Sequence, residues 1–375
     1  MPELDHQRQK QAKKYAIIKR QLWLVDQFFS LTYALLWLTF GWSTGLRAWL
    51  ADFFTNEWGL VAVFASIFFG IYFFINLPLS YFSGFVLPHR YDLSTQTLTN
   101  WIIDQLKGLA VGALLGLLVL ELIYLALRLT GDSWWLWLTA GSLVFSVLLS
   151  NLAPILIMPL FNKFTPLGEE HADLAERLTR LAQNSGTKVN GVYKMDMSRR
   201  TRQANAALMG IGQTRRIVLG DTLINEFSAD EIETILAHEL GHHVHNDIPW
   251  LITFGTLTTA ISFFLVSLVM DWTVQTFSLS GVSDPASLPA FMILLSVVGL
   301  ILMPIENAFS RWREEMADDY ALESTGKSQA FASAFTRLAN QNLSDVDPQK
   351  WVVFMFYNHP PLNARIAKAE KWGQA

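Results

Sequence analysis

The chain has 375 residues, 51% of them hydrophobic and only 16% charged, with no cysteine and a net charge of −4. Soluble domains carry about 25% charged residues, so this chain has more apolar surface than a soluble core of its length hides, and part of it should face lipid. The missing cysteines exclude disulfides, thiolate metal sites and cysteine nucleophiles; the charge speaks neither for nor against nucleic acid, and no nucleic-acid partner is expected.

Residues 1–20 are a polar lead holding Arg8, Lys10, Lys13, Lys14, Lys19 and Arg20. Six apolar stretches follow, at roughly 22–42, 60–82, 108–127, 134–158, 248–270 and 288–308. Each suits the roughly 20 residues a helix needs to cross a bilayer. The first contains Asp26, which points to a later start, and the fourth has Asn151 and Pro154 near its end. Between the second and third, residues 83–107 hold Pro88, His89, Arg90, Tyr91 and Asp92 and predict a structured elbow. The first and third inter-span loops hold only Arg47 and Arg128, and residues 271–287 hold no basic residue. The segments after the fourth and sixth spans are rich in arginine and lysine. Basic excess marks the cytoplasmic side, so both termini and both polar segments are expected there, which an even number of spans permits. No small-residue cleavage pattern follows the first apolar run, so it reads as a retained anchor rather than a signal peptide.

The polar segment 159–247 predicts a helix over 169–184, with Leu174, Leu178 and Leu181 at helical spacing, and short strands near 189–197, 205–211 and 216–219. Gly210, Gly212 and Gly220 punctuate these strands. Ser228-Ala-Asp-Glu231 is a capping-box start for a helix reaching about residue 246. The last segment is mainly helical. Four parts result: 1–158 with four spans, 159–247 as the first half of a polar α+β domain, 248–308 as a two-span hairpin, and 309–375 as the second half of the polar domain.

The chemistry sits on that capped helix. His238-Glu239-Leu240-Gly241-His242 places two histidines four residues apart. Four helical residues turn about 400°, so the two imidazoles point the same way within about 40° and can share one metal ion. Two imidazoles, a carboxylate and one open position suit catalytic zinc, and Glu239 lies close enough to take a proton from a water beside the metal. On an exposed helix these residues would simply be solvated, but Ile232, Ile235, Leu236, Ala237 and Leu240 predict a buried helix, where polar groups need partners. A third ligand is sought in Ser310-Arg-Trp-Arg-Glu314-Glu-Met-Ala-Asp318. Glu314 and Asp318 share a helix face; one carboxylate can bind metal while the other accepts a hydrogen bond from a ligand imidazole. Both helices abut apolar spans, so the site can meet a substrate tethered to the membrane.

Several ordered motifs accompany the zinc helix: His89-Arg-Tyr-Asp-Leu-Ser-Thr-Gln-Thr, Pro159-Leu-Phe-Asn-Lys-Phe-Thr-Pro-Leu, Asn205-Ala-Ala-Leu-Met-Gly, Arg216-Ile-Val-Leu-Gly-Asp-Thr-Leu and Asn358-His-Pro-Pro-Leu with Arg365. Together they resemble the zinc-dependent membrane CAAX prenyl endopeptidases (the CAAX prenyl protease 1 family) over nearly the whole chain. The resemblance implies a mainly α fold: a polytopic membrane helix bundle enclosing a chamber, with a cytoplasmic zinc-peptidase α+β domain carrying a small sheet. It implies one zinc per chain on His238, His242 and Glu314, Glu239 as base, and Asp318 as the carboxylate orienting a ligand histidine. It implies that the strand carrying Asn205, Ala206 and Ala207 binds extended substrate by edge addition. It also implies that His359 and Arg365 contact substrate carbonyls or the developing oxyanion. Six spans rather than the seven of eukaryotic relatives, His243 where an aromatic is common, and the missing long insert are features expected of a prokaryotic member. The partners implied are a peptide or protein substrate, prenylated or membrane-bound, and the bilayer. Two other functions fit less of the pattern: a membrane quality-control protease without prenyl dependence, and a scaffold with structural zinc, which would need a fourth protein ligand.

Overall fold

A computed structural model describes residues 2–210 and 214–374. Helix α1 (His6–Thr39) starts where the Asp5 carboxylate accepts from the backbone N–H of Gln7 and Arg8, satisfying donors that a helix start leaves free. The basic lead is therefore not a separate segment. No Gly or Pro interrupts residues 6–39, and the helix passes Asp26 because Asn76 Nδ2 (3.0 Å) and the Tyr72 hydroxyl (3.3 Å) donate to its carboxylate. After α2 (Trp42–Ala51), α3 (Glu57–Tyr81) continues through a π-helical turn at Phe82–Val86 into α4 (Leu87–Arg90). Helix α5 (Leu98–Leu129) follows. Then α6 (Trp134–Leu152) runs through a second π turn at Ala153–Ile157 into α7 (Met158–Phe161). Pro88 and Pro154 have no N–H to donate, and each lies in or just after one of these wide turns.

Six helical runs among the described residues are long and apolar enough to cross a membrane: His6–Thr39, Glu57–Arg90, Leu98–Leu129, Gly131–Phe161, Asp247–Thr276 and Pro285–Thr325. The shortest has 30 residues, about 45 Å at 1.5 Å per residue. That exceeds the roughly 30 Å of hydrocarbon, so each helix projects from it. The most apolar window of Gly131–Phe161 buries none of its residues, and that of Leu98–Leu129 only 6%. A helix packed on one side buries a stripe; these two therefore border open space on their inner as well as outer faces, as walls of a chamber do. The elbow between α4 and α5 is fastened to the polar domain. Ser94 bridges Thr201, Arg202 N donates to the Leu93 carbonyl, and Arg200 Nε lies 2.7 Å from Asp104 Oδ2.

The polar domain contains β1 (Phe164–Pro166), α8 (Ala172–Asn184), β2 (Val192–Met195), β3 (Ala206–Met209), β4 (Arg216–Gly220), α9 (Asp221–Glu226) and α10 (Ala229–Val244). Helices α11 (Asp247–Thr276) and α12 (Leu288–Thr325) form the hairpin, and α13 (Ser328–Gln341), α14 (Lys350–Phe356) and α15 (Leu362–Trp372) close the chain. The sheet order is β1-β2-β4-β3, with β2 and β4 parallel and the other pairs antiparallel. The three expected strands are present, the first two shorter than expected and the third one residue longer, and residue 211 of the second expectation lies outside the described residues. Strand β1 was not expected: three residues ending in proline carry no alternation, and proline fits only at such an edge. Between sheet and helices, Leu178, Ile217, Leu219, Leu223, Leu236 and Phe331 are fully buried.

Helix α10 begins in the expected capping box. Ser228 Oγ accepts from Glu231 N (3.4 Å), and Glu231 Oε2 accepts from Ser228 N (2.8 Å). The other Glu231 oxygen accepts from Arg337 Nε (2.9 Å) and from the Ser333 hydroxyl. Burial pushes the Glu231 carboxyl up, but these donors outweigh it and hold its pKa below the ordinary value. A carboxyl depressed in the folded state gives stability that is present above its unfolded pKa and lost as pH falls through the folded one. Replacing Glu231 by Ala should cost about 1–3 kcal/mol. Between pH 6 and 3, the thermal midpoint in detergent should fall more steeply for wild type than for Glu231→Gln. Parallel curves would remove Glu231 as the source of acid lability.

Candidate metal centre and active site

Helix α10 supplies His238, Glu239 and His242, and α12 supplies Glu314 and Asp318. The two helices touch because Gly241 has no side chain: a Cβ there would lie 2.9 Å from Ala317 Cα and 3.0 Å from its carbonyl oxygen. The two imidazole Nε2 atoms lie 3.2 Å apart. Glu314 Oε2 is 3.2 Å from His238 Nε2, and Oε1 is 3.4 Å from His242 Nε2. One donor atom from each of the three residues falls within 4.8 Å of the others.

The outer ring nitrogens decide what the inner ones can do. His238 Nδ1 lies 2.9 Å from Asp318 Oδ1, and His242 Nδ1 lies 2.6 Å from Asp247 Oδ2. A carboxylate only accepts, so each Nδ1 carries a hydrogen and donates outward. Neutral imidazoles in that tautomer turn two lone pairs inward towards the Glu314 carboxylate. Three acceptors face one another there, and Glu314 Oε2 has no hydrogen-bond donor. Such a cluster needs a cation or protons at its centre, and two imidazole nitrogens plus one carboxylate are a zinc donor set.

Without metal, protons take that place. Burial and the Arg365 guanidinium lower the His238 pKa, but Asp318 and Glu314 outweigh them and hold it up at about 9. His242 is raised too: burial opposes it, and the hydrogen bond its protonated ring donates to Glu314 prevails. Glu239 is pushed up, chiefly by burial, with the two histidines offsetting part of the rise.

The other sequence candidates fall in three places. Asp318 is 1% exposed and stands behind His238. Arg365, expected to contact substrate carbonyls or the developing oxyanion, reaches the metal cluster, with Nη2 3.3 Å from His238 Nδ1 and 4.0 Å from Glu314 Oε2. It is 5% exposed and forks onto Asp318, with Nε 2.8 Å from Oδ2 and Nη2 2.5 Å from Oδ1. Its guanidinium lies 3.9 Å from the Phe335 ring centroid. A buried guanidinium needs a full-time partner, and Asp318 is that partner. His359, by contrast, is half exposed, with Nε2 3.1 Å from Glu314 Oε1 and Nδ1 2.8 Å from Asn358 Oδ1. Asn205, Ala206 and Ala207 lie at the start of β3, the outer strand of the sheet, with Ala206 and Ala207 paired to Leu219 and Val218. The Asn205 carbonyl accepts from Gly220 N at 2.9 Å. In an antiparallel pair, alternate residues bond across. Asn205 and Ala207 therefore turn their backbone groups to β4, while Ala206 and Leu208 turn theirs to the free edge.

Sequence reasoning missed Asp247 and Arg313. In one dimension Asp247 is only the last residue of the polar segment before the fifth span, and Arg313 is one residue of the Ser310–Asp318 run in which a carboxylate ligand is sought. Both are buried, at 2% and 4% exposure.

Comparison with known proteins places this geometry. Residues 1–163 match the profile described as CAAX prenyl protease N-terminal, five membrane helices. Residues 169–373 match peptidase family M48. An uncharacterized metalloprotease of Bacillus subtilis, YhfN, is 33% identical over 301 residues, covering 79% of this chain and 70% of its own. CAAX prenyl protease 1 of Saccharomyces cerevisiae is 33% identical over 314 residues, covering 78% and 68%. The crystal structure of S. mikatae Ste24p superimposes with a TM-score of 0.86 at 26% identity, over 98% of this chain and 90% of that one. With six membrane-length helices and a buried His-His-Glu cluster in that frame, the chain belongs to peptidase family M48 and is a multi-pass membrane zinc metallopeptidase.

Proposed function

We propose that the chain cleaves peptides held at the membrane by a lipid group, with the C-terminal region of a prenylated protein as the best-supported substrate class. His238, His242 and Glu314 hold the zinc, and Glu239 is the general base. The observation that carries this reading is the position of the ligand helices. Only His245 and Asn246 separate α10 from the fifth span, and Glu314 lies on the same helix as the sixth. A substrate anchored in the bilayer therefore arrives beside the metal without leaving the membrane edge. The yeast relative bears the name CAAX prenyl protease 1, which supports the prenylated class. The basic residues of both polar segments support a cytoplasmic site.

Bound zinc supplies Lewis acidity, polarising the scissile carbonyl and acidifying a neighbouring water. Glu239 takes the proton from that water as it attacks the carbonyl carbon. Glu239 delivers that proton to the leaving nitrogen as the C–N bond breaks, and the remaining hydroxyl proton passes to the released amine, giving a carboxylate and an ammonium group. Burial, which raises its pKa, makes the Glu239 carboxylate a better proton acceptor than an exposed one. His359, at the open side, donates to the developing oxyanion. Arg365 acts one step back, fixing Asp318 and through it the His238 ring. The outward backbone groups of Ala206 and Leu208 pair with extended substrate as an added strand.

A fluorogenic C-terminal peptide, with and without a farnesyl group, tests the substrate class on detergent-purified protein. Cleavage helped at least about tenfold in kcat/KM by the farnesyl group is expected, since burying even a few methylenes is worth that much. Equal cleavage of both peptides would replace this reading with that of a quality-control protease without prenyl dependence.

A further inference from the structure

Each ligand histidine is backed by a buried carboxylate, and each carboxylate by a buried arginine. The first set is Asp318 with Arg365 behind His238. The second is Asp247 with Arg313 behind His242. Arg313 Nε donates to Asp247 Oδ1 at 2.7 Å, and its Nη2 bonds both that oxygen and the His245 carbonyl, the latter at 2.7 Å. This leaves Asp247 Oδ2 free to accept from His242 Nδ1 at 2.6 Å. We infer that Asp247, held by Arg313, is the positioning residue of His242: it fixes the tautomer with hydrogen on Nδ1 and aims Nε2 at the metal. The inference rests on the ligand assignment proposed above.

The backbone is shaped for this contact. Asn246 is left-handed, with φ at 55°, a conformation asparagine tolerates better than most residues. One residue in that region stops α10 and starts α11 at once, returning the Asp247 carboxylate beneath His242. His242 lies only four residues further along α10 than His238, yet the two are oriented by different pairs of helices. His238 is keyed to the polar end of α12 and to α15, through Asp318 and Arg365. His242 is keyed to the start of α11 through Asp247 and, through Arg313, to the same polar end of α12. A shift of α11 against α12 therefore moves the His242 nitrogen, which links the membrane hairpin to the geometry of the metal. Outer partners of this kind change metal affinity because they set the orientation and basicity of the imidazole.

A purely structural reading treats Asp247–Arg313 as an ion pair stapling α10 and α11 to α12. The double variant Asp247→Leu/Arg313→Met separates the two, because an apolar pair can replace a buried ion pair without loss of stability. Zinc dissociation constants would be measured on the full-length, metal-stripped protein in detergent by competition with a fluorescent chelator. Thermal midpoints of the metal-free forms would be measured alongside. The expected result is a metal-free midpoint near wild type with zinc bound about 10- to 100-fold more weakly. Wild-type zinc affinity in the folded double variant overturns the inference. Should that variant fail to fold, Asp247→Asn decides in the same assay: it keeps the shape, and wild-type affinity there is equally fatal. Glu314→Ala is the control for the ligand assignment. If it binds zinc as wild type does, the assignment itself has failed. If it loses zinc while the Asp247 variants do not, only the positioning role has failed.

Discussion

Replacing Glu239 by Gln should lower kcat on the order of 10³-fold, the middle of the range for general acid–base catalysis, while leaving zinc content at one per chain. The two parts of this result have separate causes. Glu239 is the group beside the cluster that does not belong to it: the three donor atoms that converge come from His238, His242 and Glu314. Glutamine keeps the shape and removes only the ability to take a proton. Burial already penalises the Glu239 charge, as its raised pKa shows, so the neutral variant should be at least as stable as wild type. A folded, zinc-loaded, inactive protein is therefore the expected outcome, read by metal analysis and peptide cleavage together. Zinc loss in Glu239→Gln would mean that this carboxylate is a ligand and that the base must be sought elsewhere.

Replacing Glu314 by Ala should remove both metal and activity. Glu314 contributes one of three ligands and reaches both histidines, at 3.2 and 3.4 Å, and His359, at 3.1 Å. Without it, two imidazoles four residues apart on one helix remain, a pair that binds divalent metals far more weakly than the triad. The loss of zinc affinity should exceed the roughly 10- to 100-fold that removal of an outer hydrogen-bond partner costs. Activity at submicromolar free zinc should fall about 10³-fold or more, since Glu239 has nothing to act with. Partial recovery at high zinc or cobalt would separate a weakened site from a misfolded chain.

What the sequence disclosed and what it hid follow from the range of the interactions. The capped helix α10 was legible because its signals are local: S-x-x-E fixes the start, and H-E-x-x-H places two side chains on one face whatever surrounds them. The six spans were legible because lipid imposes a length. Their ends were less so: α1 begins at His6 because charged residues are as good helix formers as apolar ones, and a hydropathy window does not see them. Strand β1 was hidden because its three residues draw their conformation from pairing with β2 rather than from any pattern of their own. Asp247 and Arg313 were hidden for the same reason in three dimensions, being 66 positions apart along the chain. The position of Arg365 also depended on burial: nothing in one dimension says that its guanidinium packs over Phe335 and forks onto Asp318.

The central claim is that one zinc ion, held by these three residues, is what makes the chain a peptidase. Reactivation of the metal-stripped enzyme tests it most directly. The purified protein would be stripped with a chelator, then titrated with zinc while cleavage of a peptide substrate is followed. The account predicts negligible activity at the start, a linear return that saturates at one zinc per chain, and no return in Glu314→Ala over the same range. Full activity in the stripped protein, or saturation only at two or more zinc ions per chain, would contradict it.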